Sequence, residues 1–452
     1  MGGMDKPIIK KFIKNGRYYF YDTYKNEVLE VNDEQFKEIC QLEEIGLSKY
    51  YKSSHQNKAS KDIELLIEKG YFKACIIDNI EHPQTNYIND ILDRGVNNLI
   101  LQVTRECNFK CRYCLYTREN QINRSHEDVA MTWNIARDSI DYMYEHSADV
   151  NNVSISFYGG EPLLNFPLIK RCVEYAKEKF VTKTITFQTT NNGSLIDCEI
   201  AHYLIENGIR VMISLDGPKE VQNKHRKFYE NGKGTYDVVI RNVERLREMS
   251  PEYFDNCVSF NPVLMNDEPY QDVVDFFKAN DIDINKVHCS YAYMGGIDYI
   301  EGNANRSLVD ENHLEFQNIM NREYIDTAKR AITDHSIIPR TWHPNGPCIP
   351  GMNRLFVDVF GKLYPCEKIL EVSCGCIGDI YNGFDVNTIK RMMNIGKMNQ
   401  EECKTCWAMR FCDVCVVRCI DIENNDYDKK MKNIACEGCR RSAYDYICNC
   451  VL

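Results

Sequence analysis

At 452 residues the chain is too long for one ordinary core and implies roughly two to four domains, and 44% hydrophobic with 27% charged residues is ordinary globular composition. A formal net charge of -11 argues against a nucleic-acid or membrane-surface partner, because phosphate binding needs a basic face. No long apolar run or signal-peptide pattern is present, so a cytoplasmic location is expected, and Met1-Gly2-Gly3 before Met4 reads as a cloning remnant.

Residues 7 to 31 alternate apolar and polar in three runs, Ile8–Ile13, Tyr18–Tyr21 and Val28–Val31, broken at Asn15-Gly16 and Lys25-Asn26, which predicts a three-stranded meander. Asn32-Asp33 caps a helix carrying Phe36 and Ile39, and a second helix around Ile63–Ile67 closes at Gly70. The outline is that of a winged helix-turn-helix over residues 1–80. DNA binding is the alternative, weakened by the lack of a basic recognition helix. In size and element order this segment resembles the peptide-recognition element at the front of many peptide-modifying enzymes, which implies that a leader peptide adds a strand to the meander's edge.

Residues 81–96 turn polar and read as a linker or bridging helix. From 97 to 335 strand-like runs alternate with helix-like ones: Leu99–Val103, Val153–Tyr158, Thr184–Thr190, Ile209–Leu215, Val258–Leu264 and Val287–Tyr291. Ser125-x-x-Asp128 reads as a helix-starting capping box and Asn207-Gly208 as a helix stop. The fold class is α/β, with six βα units curled into a partial (β/α)6 TIM-like barrel and chemistry at the carboxyl ends of the strands. The polar stretch 294–345 carries a helical pattern from Leu314 to Ile332.

Directly after the first of these strands, Cys107-x3-Cys111-x2-Cys114 brings three thiolates to one place, one fewer than the four that a [4Fe–4S] cluster usually takes. One iron is left open for another ligand. A zinc knuckle is the alternative, and would want a fourth Cys or His nearby. The second strand ends in Gly159-Gly160-Glu161-Pro162, where glycine lets backbone approach a ligand and Glu161 can accept from its amino group. Together these stretches resemble the radical S-adenosylmethionine (SAM) enzymes. The resemblance implies that SAM occupies the open iron, held by Gly159, Gly160, Glu161 and Pro162, with Asn192 and Ser214 at the ends of the next two strands near the ribose. For the last two, plain strand-ending turn chemistry is the alternative.

Of the 22 cysteines, nine lie in residues 1–347 and thirteen in the last 105, and in a leaderless chain metal is a better reading than a disulfide framework. A hairpin, Arg354–Val359 and Lys362–Tyr364 around Gly361, lies between Cys348 and Cys366, and Cys403-x2-Cys406-x5-Cys412-x2-Cys415-x3-Cys419 and Cys436 follow. This order resembles the SPASM domain, here 336–452. The resemblance implies two auxiliary [4Fe–4S] clusters, three clusters in all: Cys348, Cys366 and Cys415 on the first, Cys403, Cys406, Cys412 and Cys436 on the second. The spacing departs from the family's at Cys415, so Cys419 competes for that role. Trp342 stands where some relatives carry a further ligand, so the first cluster has an open iron or takes Cys374, Cys376 or Cys419. Zinc is the alternative throughout. Cys439, Cys448 and Cys450 exceed the pattern, and Cys40, Cys75, Cys172, Cys198, Cys257 and Cys289 read as core thiols.

The resemblance further implies a 5′-deoxyadenosyl radical that takes hydrogen from an unactivated carbon, with Glu367 as proton acceptor and Tyr116 lining the site, as in sulfatase-maturating relatives. A surface carboxylate and a packing aromatic are the alternatives for these two. The expected function is maturation of a ribosomally made precursor peptide by sulfur-to-carbon thioether formation, as in sactipeptide or ranthipeptide synthesis, fed by a reductase, flavodoxin or ferredoxin. Carbon–carbon crosslinking, oxidation of Cys or Ser, and a non-catalytic metal-binding peptide scaffold are the competing functions.

Overall fold

The computed structural model describes residues 5–52, 57–114, 116, 126–265, 270–291, 336–343, 349–369 and 371–450. Cys348 and the helix expected over Leu314 to Ile332 lie outside the described residues. At the front, β1 (Ile9–Lys14), β2 (Arg17–Asp22) and β3 (Glu27–Val31) form an antiparallel meander. Asn15 and Gly16 both take positive φ, the two-residue turn whose twist matches the strands. A helix Asp33–Ile45, capped by Asn32 with Gln35 bonding back, and a helix Lys58–Glu68 cover one face of the sheet. Phe20, Ile39, Leu42, Tyr50, Ile63 and Phe72 are completely buried between them.

The other face of the meander is not free. Phe12, Tyr19 and Tyr21 pack on Ala408, Phe411, Ala443 and Ile447 of the C-terminal segment. Arg410 is buried and donates from Nε to the Thr23 carbonyl at 2.8 Å and from Nη2 to that of Ser336 at 2.8 Å, while the Thr23 hydroxyl donates to the Trp407 carbonyl at 2.9 Å. Short strand β4 (Asn79–Ile80) leaves this unit to pair with a distant strand described below. The segment predicted as a linker, 81–96, is a packed connector: its helix Ile88–Arg94 buries Ile88 and Leu92, and Val96 follows them into the main core.

The βα alternation yields β5 (Asn98–Thr104), a short β6 (Phe109–Cys111), β7 (Asn152–Gly159), β8 (Thr184–Asn191), β9 (Arg210–Ile213), a short β10 (Arg226–Phe228) and β11 (Val258–Phe260). Strands β5, β7, β8, β9 and β11 are parallel neighbours, their faces covered by helices such as Trp133–Glu145, Phe166–Lys179 and Tyr236–Met249. Leu99, Ile100, Leu101 and Val103 are all buried, as a parallel strand covered on both faces requires. The run expected as one strand over Val258–Leu264 is broken at Asn261-Pro262, since proline cannot donate to the ladder. Its second piece, β12 (Val263–Leu264), pairs in parallel with β13 (Ser290–Tyr291).

Two further differences from the sequence reading bear on the site. Helix Trp133–Glu145 is capped by Thr132, while Ser125 of the expected Ser125–Asp128 box lies outside the described residues. Residues 129–131 are instead drawn into extended pairing with β5, through Arg105 N–H to Val129 O at 2.8 Å and Met131 N–H to Val103 O at 3.0 Å. In the C-terminal third, β14 (Thr341–Trp342) pairs with β4, and β15 (Leu355–Val357) adds in parallel to β5, Leu355 opposite Leu99. The sheet then continues antiparallel through β16 (Lys362–Tyr364), β17 (Gly378–Asp379) and β18 (Gly383–Phe384), so it runs across the boundary expected at 335/336.

Candidate active site

The cysteine triad sits on the loop after β5. Cys111 is the last residue of β6, which pairs antiparallel with β10 so that Cys111 lies opposite Arg226. Arg226 and Asp216 form a buried bidentate pair, with Nε to Oδ2 and Nη2 to Oδ1 both 2.9 Å. Tyr113, between two triad cysteines, donates its hydroxyl to the same carboxylate at 2.5 Å, and the Val263 N–H donates to it at 2.9 Å. The loop is therefore bolted to the end of β9 by a satisfied charge. Burial pushes the Cys107 thiol well up and the Cys111 thiol up to about 12, Arg226 opposing it at Cys111. A metal bound by these thiols would take their protons.

Among the described residues no three Cys, His, Asp or Glu side chains converge on a single ion position. The three thiols are near enough that the charges of Cys111 and Cys114 bear on Cys107, and that of Cys114 on Cys111. His126, which sequence reasoning missed, places Nε2 3.6 Å from the Cys114 sulfur. Its Nδ1 donates to the Arg105 carbonyl at 3.0 Å, since a carbonyl only accepts.

Gly159, Gly160, Glu161 and Pro162 close β7 beside this loop. Their glycines answer a packing demand: a Cβ on Gly159 would lie 2.3 Å from the Thr104 oxygen and one on Gly160 2.2 Å from the Glu106 oxygen. The bare backbone lets Gly160 N–H reach Thr104 O at 3.0 Å and Glu161 N–H reach Glu106 O at 2.8 Å. Gly160→Ala is expected to cost about 1–3 kcal/mol, because a backbone carbonyl must move to admit the methyl. An unchanged melting temperature and iron content in that variant would count against this packing role.

Glu161 is buried and accepts from Leu163 N–H at 3.0 Å and Asn192 N–H at 2.7 Å; burial raises its carboxyl to about 7 against those two donors. Asn192 in turn donates to Asn108 Oδ1 at 2.8 Å, beside Cys107. The Ser214 N–H donates to the Asn191 carbonyl at 2.9 Å. The expected SAM-side residues thus occupy the carboxyl ends of β7, β8 and β9 around the triad loop.

Tyr116 and Glu367 are brought together: the Tyr116 hydroxyl donates to the Glu367 carbonyl at 2.9 Å. Glu367 Oε1 accepts from Arg354 at 3.1 Å, while Oε2 is buried with no hydrogen-bond partner among the described residues. Arg105, another residue without a sequence signal of its own, ties the triad loop to the same region through Glu371 at 2.7 Å and the ring of Phe360 at 4.9 Å.

Farther along, Cys403, Cys406, Cys412 and Cys436 line a single cavity. Cys439, set aside from the sequence as spare, lines it too and hydrogen-bonds Cys412, which draws the Cys412 thiol down. The cavity has the thiols a four-iron cluster needs, in the number and type that suit iron or zinc. Cys366 and Cys415 lie near each other, and Cys419 is fully buried with its sulfur 3.5 Å from the Cys415 carbonyl. The Cys376 thiol is spent on the Gly378 carbonyl at 3.3 Å. Trp342 stands in β14 with its indole N–H buried and unpartnered among the described residues. Of the isolated cysteines, Cys172 and Cys289 are buried as core thiols; Cys198 is exposed in the first turn of a helix, where nothing packs over it.

No helix among the described residues is long and apolar enough to cross a membrane. The chain is 27% identical over 278 residues to the radical SAM cyclopropyl synthase TigE of Paramaledivibacter caminithermalis, covering 57% of each chain. It is 26% identical over 357 residues to the cysteine-type anaerobic sulfatase-maturating enzyme of Clostridium perfringens, covering 75% of this chain and 93% of that one. The match thus spans little more than half of the first relative and nearly all of the second. In fold it is similar to Streptococcus suis SuiB bound to precursor peptide SuiA, with a TM-score of 0.50 and 15% identity over 93% of this chain and 97% of that one. Residues 101–279, which contain the triad loop, the Gly-Gly-Glu-Pro turn, Asn192 and Ser214, match the Radical SAM superfamily, a family of enzymes, and the match implies a [4Fe–4S] cluster and SAM for this segment.

Proposed function

We propose that this enzyme matures a ribosomally made precursor peptide by joining a cysteine sulfur to a carbon of another residue. The observation that carries the reading is the Tyr116–Glu367 contact, which sets the first auxiliary region beside the triad loop, so that a peptide held by one is presented to the other. When bound, the cluster and SAM supply hydrogen abstraction from an unactivated carbon. The chain's part is to hold and orient: Cys107, Cys111 and Cys114 hold the cluster, and Gly159–Pro162, Asn192 and Ser214 hold SAM. Cys348, Cys366 and Cys415 would hold a first auxiliary cluster, and the four cavity cysteines a second, in a SPASM arrangement. If that first cluster has an iron that no residue of the chain ligates, a peptide thiolate would be its natural ligand, and binding there would orient the sulfur beside the target carbon.

The meander offers β3 as an edge to which a leader can add a strand, and SuiB, similar in fold, has been seen bound to a precursor peptide. A reductase, flavodoxin or ferredoxin would supply electrons. The unpartnered Oε2 of Glu367 favours a second reading, oxidation of a Cys or Ser, for which it is a placed proton acceptor.

The product decides. One thiol hydrogen and one carbon-bound hydrogen leave per thioether, so the peptide is expected to become about 2 Da lighter and lose one alkylatable thiol per bridge, and to resist reduction. Mass spectrometry after alkylation checks this. A product with every thiol free would favour carbon–carbon crosslinking, and reversal by reductant would mean a disulfide.

A further inference from the structure

Helix Lys429–Asn449 presents Lys432, Cys436, Cys439 and Arg440 to the cysteine-lined cavity, a spacing of i, i+4, i+7 and i+8 that defines one helical face. Lys432 is 2% exposed. Its ammonium donates to Asn399 Oδ1, to the Cys403 sulfur at 3.5 Å and to the Cys436 sulfur at 3.8 Å. No carboxylate pairs with it among the described residues, whereas its neighbour Lys429 reaches Glu402 at 2.9 Å. A buried ammonium without a carboxylate is costly unless another anion faces it. Two of the four proposed ligands face it here, Cys403 from one helix and Cys436 from its own.

We propose that Lys432 is a positioning residue that sets the reduction potential of the cluster held by Cys403, Cys406, Cys412 and Cys436, making it an electron acceptor. The proposal rests on that cluster being present. Four thiolates around an oxidised [4Fe–4S] core leave about two net negative charges, and taking up one electron adds a third. A fixed cation with N–H···S contacts to two ligands favours the reduced form, since charge and hydrogen bonds at the sulfurs are what the protein uses to tune such clusters. No bond forms or breaks in this step; one electron enters, and the same cluster later passes it on. Such a potential suits the electron left over when a new bond closes on the peptide.

The test compares full-length wild-type protein with Lys432→Gln and Lys432→Arg, each reconstituted anaerobically. Iron and labile sulfide are counted, and a redox titration follows the reduced-cluster spin signal absent from a Cys412→Ser variant. Expected are equal iron in all three and, for Lys432→Gln, about a tenfold lower ratio of reduced to oxidised cluster at the wild-type midpoint, a shift of about 59 mV for one electron. Lys432→Arg should keep the wild-type midpoint. An unchanged midpoint in Lys432→Gln with full iron overturns the proposal. Iron loss in that variant alone also overturns it, making the charge a holding group. Zinc in place of iron in the wild type, or wild-type iron too low for this cluster, overturns the cluster assignment itself, and the proposal with it.

Discussion

Replacement of Asp216 by alanine is expected to remove about 3–5 kcal/mol of folding stability, the cost of leaving a buried charge without its partner. Arg226 would stay in the core with both its donors to Asp216 unmet, and Tyr113 and Val263 would lose their acceptor. Against a total of about 5–15 kcal/mol this is a large fraction. Because Arg226 lies opposite Cys111 across β6 and β10, the loss falls on the triad loop first. Denaturant unfolding of the wild type, Asp216→Ala and Asp216→Asn should rank them in the order wild type, Asn, Ala. Equal midpoints would show that the pair does not hold the loop.

Removal of residues 1–80 is expected to strip the four-cysteine cavity of its iron, about four atoms per chain if a cubane is held there. Every residue between Cys406 and Cys412 is engaged by the meander or its flank. Trp407 accepts at its carbonyl from Thr23; Ala408 and Phe411 pack under Tyr21; Met409 packs with Ile8 and Ile80; and Arg410 donates to Thr23. Cutting the meander away exposes these side chains and frees the loop that carries two ligands. The triad has no such dependence, so SAM cleavage should survive in any soluble fraction. Iron analysis of the truncated protein checks this, and full iron with an unaltered melting temperature would contradict it. A leader-binding role for β3 is therefore better probed by point changes along its edge than by deletion.

Much of this was legible before any coordinates. The alternation of Val153–Tyr158, Thr184–Thr190 and Ile209–Leu215 with helical stretches is a local signal, and so are the Asn32 cap, the Asn15-Gly16 turn and the cysteine spacings. What the sequence concealed is long-range. Leu355–Val357 reads as one arm of a hairpin, yet its other edge completes β5 from some 250 residues away, and no local pattern announces that pairing. Lys432 sits in the run Lys429-Lys430-Met431-Lys432, which looks solvated, and only the helical face shared with Cys436 shows that its third lysine is buried. The helix expected after the Ser125–Asp128 signal begins only behind Thr132, because residues 129–131 pair with β5, a long-range contact. Gly159 and Gly160 also meet a packing demand that no local pattern announces, from the carbonyls of Thr104 and Glu106.

The central claim, that Cys107, Cys111 and Cys114 hold a cluster on which SAM is cleaved, is tested most directly by anaerobic reconstitution of the full chain beside its triple-alanine variant at those positions. The account predicts about 12 iron atoms per chain for three clusters, about four fewer in the variant, and formation of 5′-deoxyadenosine under reducing conditions by the wild type alone. Zinc in place of iron, or undiminished SAM cleavage by the variant, would contradict it.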